Sequence, residues 1–368
     1  MKARVGNCWR IRMSDAYTLE DKPLMDQSLA MQKRARLRER LGGRAGMATG
    51  LVLILIIMWL MGLFMGTGLQ QLLSLTIWGV MLGGIIALCG MGLTLCYGVL
   101  KFPNFAHGAL VTLGAYIAFA VVQLLPQSAP IWRFSFGWEL LIGMIIAMPV
   151  TGLVAVIIDR FLYRRLRTSN SALVLFAMAS LGMAFFLRSV IYLLWGSDFH
   201  FFYVGRANPA LHLPLGVRVQ ADQFFVLGLV AVLALLTYLL LAKTKVGKAM
   251  RASADNPDLA QVRGINTERI IGWTWMIGGG LAAAGGVMYG LASQLRPDMG
   301  FTLLLPIFAS VILGSIGSAF GALVGAIVIG IAMQVTSAFM SPAYGPAVAF
   351  ALMVLALVVR PQGLFADK

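Results

Sequence analysis

Two stretches of this chain hold no Asp, Glu, Lys or Arg: Ala45 to Leu100 and Met299 to Val359. Each is far longer than the ~20 apolar residues one helix needs to cross a bilayer. Backbone N–H and C=O groups cannot stay unpaired in hydrocarbon, so each run must fold into several internally bonded helices. The rest of the chain agrees, with 60% of its 368 residues hydrophobic and 12% charged, about half the ~25% charged fraction of a soluble domain. The expected fold class is therefore all-α, a polytopic transmembrane helical bundle of about nine to ten spans with interrupted helices.

Apolar segments predict spans near 48–66, 74–98, 104–124, 139–158, 172–194, 223–242, 269–291, 301–316, 318–338 and 346–360. The net charge of +15 follows this layout. With the N-terminus placed in the cytoplasm, the inside segments carry 24 Lys/Arg and the outside segments four, namely Arg133, Arg206, Arg218 and Arg296. That asymmetry is the positive-inside pattern, with both termini cytoplasmic. The basic excess is thus explained by topology and points to no nucleic acid.

Residues 1–47 read as a charged cytoplasmic tail with 11 Lys/Arg and 5 Asp/Glu, which anionic membrane lipid would hold near its headgroups. Residues 48–66 read as a first span and 67–364 as the main membrane domain. No signal peptide is expected, because the first apolar run starts behind a long charged segment. Cys89 and Cys96, seven apart on one helix face, read as small packing residues, and Cys8 falls in the tail. The segment 196–222, rich in aromatics with His200 and His212, reads as an outer lid or docking ledge.

The inside loop 243–268 carries start and stop signals for a short helix. Asn256 suits the N-cap, Pro257 the first turn and Asp258 the positive end of the dipole, while Arg263 and Gly264 suit its end. Leu259, Ala260 and Val262 would offer an apolar surface there. The segment either connects two spans or docks a partner; such deliberate capping favours docking.

Two interruptions stand out. "GVLKFPNFAHG", Gly98 to Gly108, gathers a lysine, a proline, an asparagine and a histidine between two apolar runs. Local chemistry reads it either as a plain turn, with Pro103 ending one helix and Asn104 capping the next, or as a break handling polar groups inside the bilayer. The second, Leu313 to Phe320, lies in a run with glycines at 314, 317, 321 and 325, a spacing that allows close helix approach and a short gap. One such break in each half of a membrane chain points to a translocation site.

Enzymatic chemistry has no foothold here. G-x-S-x-G, H-E-x-x-H, C-x-x-C and G-x-x-x-x-G-K-[ST] are all absent, so neither catalysis nor a resident cofactor is expected. Glu139 and Asp159 bracket one span and read as interfacial, and Arg188 reads as a residue that snorkels outward. A pathway with few ionisable groups suggests that the driving energy comes from elsewhere; the alternative is a self-contained secondary carrier or channel for a small solute such as urea or an amide.

The segments "GLTLCYGVLKFPNFAHGALVTLGAYIAF", "DRFLYRRLR", "TKVGKAMRASADNPDLAQVRGIN" and "FASVILGSIGSAFGALVGAIVIGI" resemble the branched-chain amino-acid permease family, the membrane subunits of bacterial ABC importers. The resemblance runs in order from about Leu72 to Leu364. It implies a non-catalytic inner-membrane permease for a small polar solute, most simply a branched-chain or other amino acid. It also implies a second permease subunit, two cytoplasmic ATPase subunits that bind ATP and Mg, and a periplasmic solute-binding protein. Substrate-pathway positions would be Asn104, Phe105, His107, Gly108, Gly114, Gly314 and Gly317. The ATPase-coupling loop would fall on Arg251, Asn256, Pro257, Asp258, Leu259, Ala260, Arg263 and Gly264. Residues 1–66 lie beyond the usual start of such a subunit, and Arg188 and 196–222 depart from its pattern.

Overall fold

The computed structural model describes residues 44–126, 128–169, 171–203, 210–212, 218–360, 363 and 365. Residues Gly50–Lys368 form one compact unit. Nearly all of the expected charged tail, 1–43, lies outside the described residues, as do 204–209 and 213–217 of the outer segment.

In chain order the helices are α1 (Arg44–Phe64), α2 (Leu69–Leu100), α3 (Ala106–Leu124) and α4 (Trp138–Ile158). A π turn, Asp159–Tyr163, leads into α5 (Arg164–Thr168), followed by α6 (Leu173–Trp195), α7 (Ala221–Lys243), α8 (Lys245–Asp255) and α9 (Pro257–Val262). The last four are α10 (Thr267–Ala292), α11 (Met299–Gly314), α12 (Ala319–Thr336) and α13 (Gly345–Val359). Among the described residues, 8 helices are long and apolar enough to cross a membrane, with two shorter apolar ones at Ala48–Phe64 and Met299–Gly314. These are the ten segments expected from hydropathy, in a polytopic helical bundle. One short hairpin, β1 (Ala210–His212) and β2 (Arg218–Gln220), pairs antiparallel with Leu211 opposite Val219.

Two boundaries differ from expectation. Span 139–158 does not stop at Asp159; it continues through the π turn to Thr168. Asp159 is the reason, because Arg167 grips it bidentately at 2.7 and 3.1 Å, two turns further along the same rod. Arg164 and Arg167 also reach Glu268 at 3.3 and 3.4 Å, which ties the basic run to the start of α10. Asp159 and Glu139, which bracket the expected span, are both buried within the protein. Finally, the loop 243–268 holds a second helix, α8, N-capped by Thr244, whose hydroxyl accepts from Gly247 N–H at 3.0 Å.

The centre of the bundle is α10. Its run of Gly and Ala from Gly278 to Gly286 is buried throughout and lets α2, α3 and α4 approach from three sides. Lipid tails are as apolar as leucine, so close packing rather than the hydrophobic effect holds such helices together. The same logic seats α2 on α12: a Cβ on Gly83 would lie 2.7 Å from Ile327 Cα. A bulky residue there would force the two helices apart. Cys89 and Cys96 are buried free thiols on the α2 face toward α10.

Candidate functional site

The stretch after α2 is an interior break. Lys101 ends α2 in the left-handed conformation (φ 59°), its N–H bonded to Tyr97 O at 2.8 Å. The chain then folds back beside α2, so that His107 Nε2 sits 2.8 Å from the carbonyl oxygen of Cys89. A carbonyl only accepts, so His107 carries its proton on Nε2 in this contact. Cys89 lies eleven residues before Leu100, about 16 Å along the helix, and α3 therefore starts well below the end of α2.

Irregular backbone at that depth must be satisfied by the protein. Phe105 N–H donates to Ser180 Oγ of α6 at 3.1 Å. Asn104 Oδ1 accepts from Ala106 N–H at 3.1 Å and from the Tyr163 hydroxyl at 3.2 Å. Tyr163 is held in place by stacking flat on Trp275 of α10, with ring centres 5.4 Å apart, while Phe102 packs on Tyr163 and Phe176. Asn104 is thus more than a local cap, because its second bond comes from a residue 59 positions away. Two polar atoms here stay buried with no hydrogen-bond partner among the described residues, Asn104 Nδ2 and His107 Nδ1, an unusual state for interior polar groups.

A second short helix starts against this break. The α11 helix has 16 residues, about 24 Å against a hydrocarbon core of ~30 Å. Its first turn meets the first turn of α3 at two glycines: a Cβ on either Gly108 or Gly300 would overlap the backbone of the other. Thr112 Oγ1 accepts the otherwise unpaired Gly300 N–H at 3.0 Å, and Phe105 packs on Phe308 with centroids 5.5 Å apart. Gly300 and Thr112 escaped the sequence reading; the only signal was the Pro297-Asp298 pair ahead of α11.

The remaining expected pathway residues scatter. Phe105 and Gly108 line a narrow cleft with Arg188, Phe185 and Phe301. Arg188 extends along its own helix to the Tyr192 hydroxyl at 3.3 Å. Asn104 and His107 are buried in helix contacts. Gly114 lies on Ala283 of α10, away from the cleft. Gly314 packs against Gly321 within the α11–α12 pair, and Gly317 (φ +91°) donates its N–H to Thr94 Oγ1 at 2.8 Å. The turn 315–318 and the break 101–107 therefore flank the same stretch of α2, from Cys89 to Thr94.

The loop after α7 is a pair of capped helices. Gly247 lies so close to Leu240 and Leu241 that a Cβ would overlap the α7 backbone, which folds α8 back on α7. Asn256 Oδ1 accepts from Leu259 N–H at 3.0 Å, and Gly264 takes φ +82° to end α9. Leu259 and Val262 are exposed, 57% and 83%, whereas Ala260 is buried and does not belong to the surface expected of it. Ala260 faces inward because it is the residue of α9 that packs toward the bundle. Arg251, Asp258 and Arg263 are exposed beside it. Gln261 Nε2 donates to Thr267 Oγ1 at 3.0 Å, which joins α9 to the first residue of α10.

A family profile described as "Branched-chain amino acid transport system / permease component" matches residues 75–357. The high-affinity branched-chain amino acid transport permease LivH of Escherichia coli K12 is 32% identical over 307 residues, 80% of this chain and 94% of that protein. BraD of Pseudomonas aeruginosa, of the same description, is 31% identical over 80% of this chain and 95% of its own length. A probable LivH of Methanocaldococcus jannaschii is 28% identical over 77% and 90%. No solved structure matches.

Proposed function

The chain belongs to the branched-chain amino acid permease family, and from that premise we propose that it is the membrane subunit of an ABC importer that carries a branched-chain or other small amino acid into the cytoplasm. It works in the bacterial inner membrane with both termini cytoplasmic. It pairs with a second permease subunit and with two ATPase subunits, which bind ATP and Mg and do the hydrolysis. A periplasmic solute-binding protein delivers the cargo.

The observation that carries this reading is α9: a stiff, doubly capped helix that presents Leu259 and Val262 to solvent and is bonded to α10 through Gln261 and Thr267. A push on α9 passes to α10, and Trp275 on α10 is stacked on Tyr163, which holds Asn104 at the break. Closure of the ATPase pair would shift α10 and with it the start of α3. Asn104 Nδ2 and His107 Nδ1 then become free donors or acceptors along the opened path. This is rigid-element coupling between two arrangements, the form such switches take.

The test is the double variant Asp258→Lys, Leu259→Glu in the reconstituted complex. ATP hydrolysis persists while leucine uptake into vesicles drops to background. Unchanged uptake in the variant would sink the coupling role. Uptake by vesicles holding this chain with no nucleotide-binding subunit would sink the importer reading itself.

A further inference from the structure

At the end of the bundle opposite α9, a cavity of about 400 Å³ opens among α2, α10, α11 and α12. Trp78, Ile85, Leu303 and Pro306 make apolar walls, and Tyr289 and Arg296 bring polar groups to it. Its size lies within the ~300–1,000 Å³ typical of small-molecule sites. None of the residues at the 101–108 break borders it.

Arg296 is the unusual member. Among the described residues no carboxylate pairs with it, and its Nε is buried with no hydrogen-bond partner. The side chain is nonetheless held: its guanidinium lies over the Phe199 ring, 5.8 Å from the centroid. The neighbouring Leu295 exchanges both backbone hydrogen bonds with His200, at 3.1 and 2.8 Å. The outer segment that begins at Gly196 therefore braces Arg296 from behind. Nε is closed off by protein, but half-buried Arg296 also borders the cavity, and the group that best fits a planar fork of donors is a carboxylate. Among the described residues no acidic side chain lines the cavity, so no carboxylate of its wall competes for the guanidinium.

We infer that this cavity receives the carboxylate of the transported solute on Arg296, with the aliphatic part of the solute against Trp78, Ile85 and Leu303. The inference rests on the importer reading and deepens it, since it selects small aliphatic solutes bearing a free carboxylate over amides and cations. It also gives the outer segment a role in specificity through Phe199 and His200.

The test uses the full complex in lipid nanodiscs, with Cys8→Ser and Ser293→Cys introduced; Cys89 and Cys96 are buried, and Ser293 borders the cavity. Alkylation of the new thiol is timed with millimolar L-leucine, 4-methylpentanoate or L-leucinamide present. Both carboxylates slow the reaction severalfold and the amide does not. Arg296→Gln abolishes the protection and Arg296→Lys keeps part of it, with the affinity for the solute-binding protein unchanged. Equal protection by amide and carboxylate, no protection by either carboxylate, or full protection in Arg296→Gln overturns the inference. The first two outcomes need no arginine variant, so poor assembly of one leaves the test intact. Loss of binding-protein affinity in Arg296→Gln without any solute protection assigns the guanidinium to an acidic side chain of that protein and also overturns it. Leucine uptake without protection removes this site and leaves the importer reading standing; protection without ATP-dependent uptake does the reverse.

Discussion

The segments 101–108 and 256–266 use the same vocabulary, an asparagine beside a proline with a glycine a few residues on, and they fold in opposite ways. In the second, Asn256 bonds an amide three residues ahead, Pro257 starts a helix, Gly264 ends it, and all but Ala260 of 256–264 is exposed. In the first, no helix starts at Pro103, Asn104 is buried, and its oxygen is shared between Ala106 N–H and Tyr163. Local capping chemistry is self-contained, so it works wherever the segment lies. An interior break must borrow partners from distant segments, here Ser180 and Tyr163, and it exists only when they arrive.

That contrast is best broken at the glycine contact. Gly108→Val drives a side chain into Gly300 and should cost about 3 kcal/mol or more, seen as loss of monodisperse protein in detergent and of uptake together. Next is Arg167→Ala, which leaves the buried Asp159 unpaired and loosens the rod that carries Tyr163. We expect about 2–3 kcal/mol, below the full cost for a sealed pair because Arg167 is partly exposed, read as a lower melting temperature that Asp159→Asn partly restores. Tyr163→Phe keeps the stack on Trp275 and removes only the bond to Asn104, for ~1 kcal/mol of stability; transport should fall more than stability if the break moves. Asn256→Ala removes a solvent-exposed cap at ~0.5–1 kcal/mol, and should weaken coupling between ATP hydrolysis and uptake without moving the melting temperature of the bundle. If Asn256→Ala lowered the melting temperature of the bundle as far as Arg167→Ala does, the division into self-contained and borrowed breaks would fail.

Helix positions were largely legible in the amino-acid sequence because hydrocarbon forces every span to read as an apolar run. The α9 helix was legible almost to the residue, because its caps are made by its own side chains. The extension of α4 through Thr168 was not, since "DRFLYRRLR" looks like a basic loop until Asp159 and Glu268 are seen to take up its arginines. Ala260 was misread as surface because a six-residue helix has too few residues for its buried side to show as a pattern. The break expected at 313–320, where the glycines are dense, is present as the turn 315–318, but it is not what meets Gly108. Those glycines serve the α11–α12 contact, and the start of α11 at Gly300 makes the approach instead.

By itself, the sequence determined that this protein is a bundle of membrane helices, how many there are, and where a capped helix stands at one end. Those follow from the cost of bare backbone in lipid and from bonds made within a few residues. Only the tertiary structure decided where "KFPNFAHG" lies along α2, the meeting of Gly108 with Gly300, and the placement of Arg296 beside its cavity without a carboxylate partner among the described residues. Each depends on which distant side chain arrives at hydrogen-bond distance, and no local pattern encodes that.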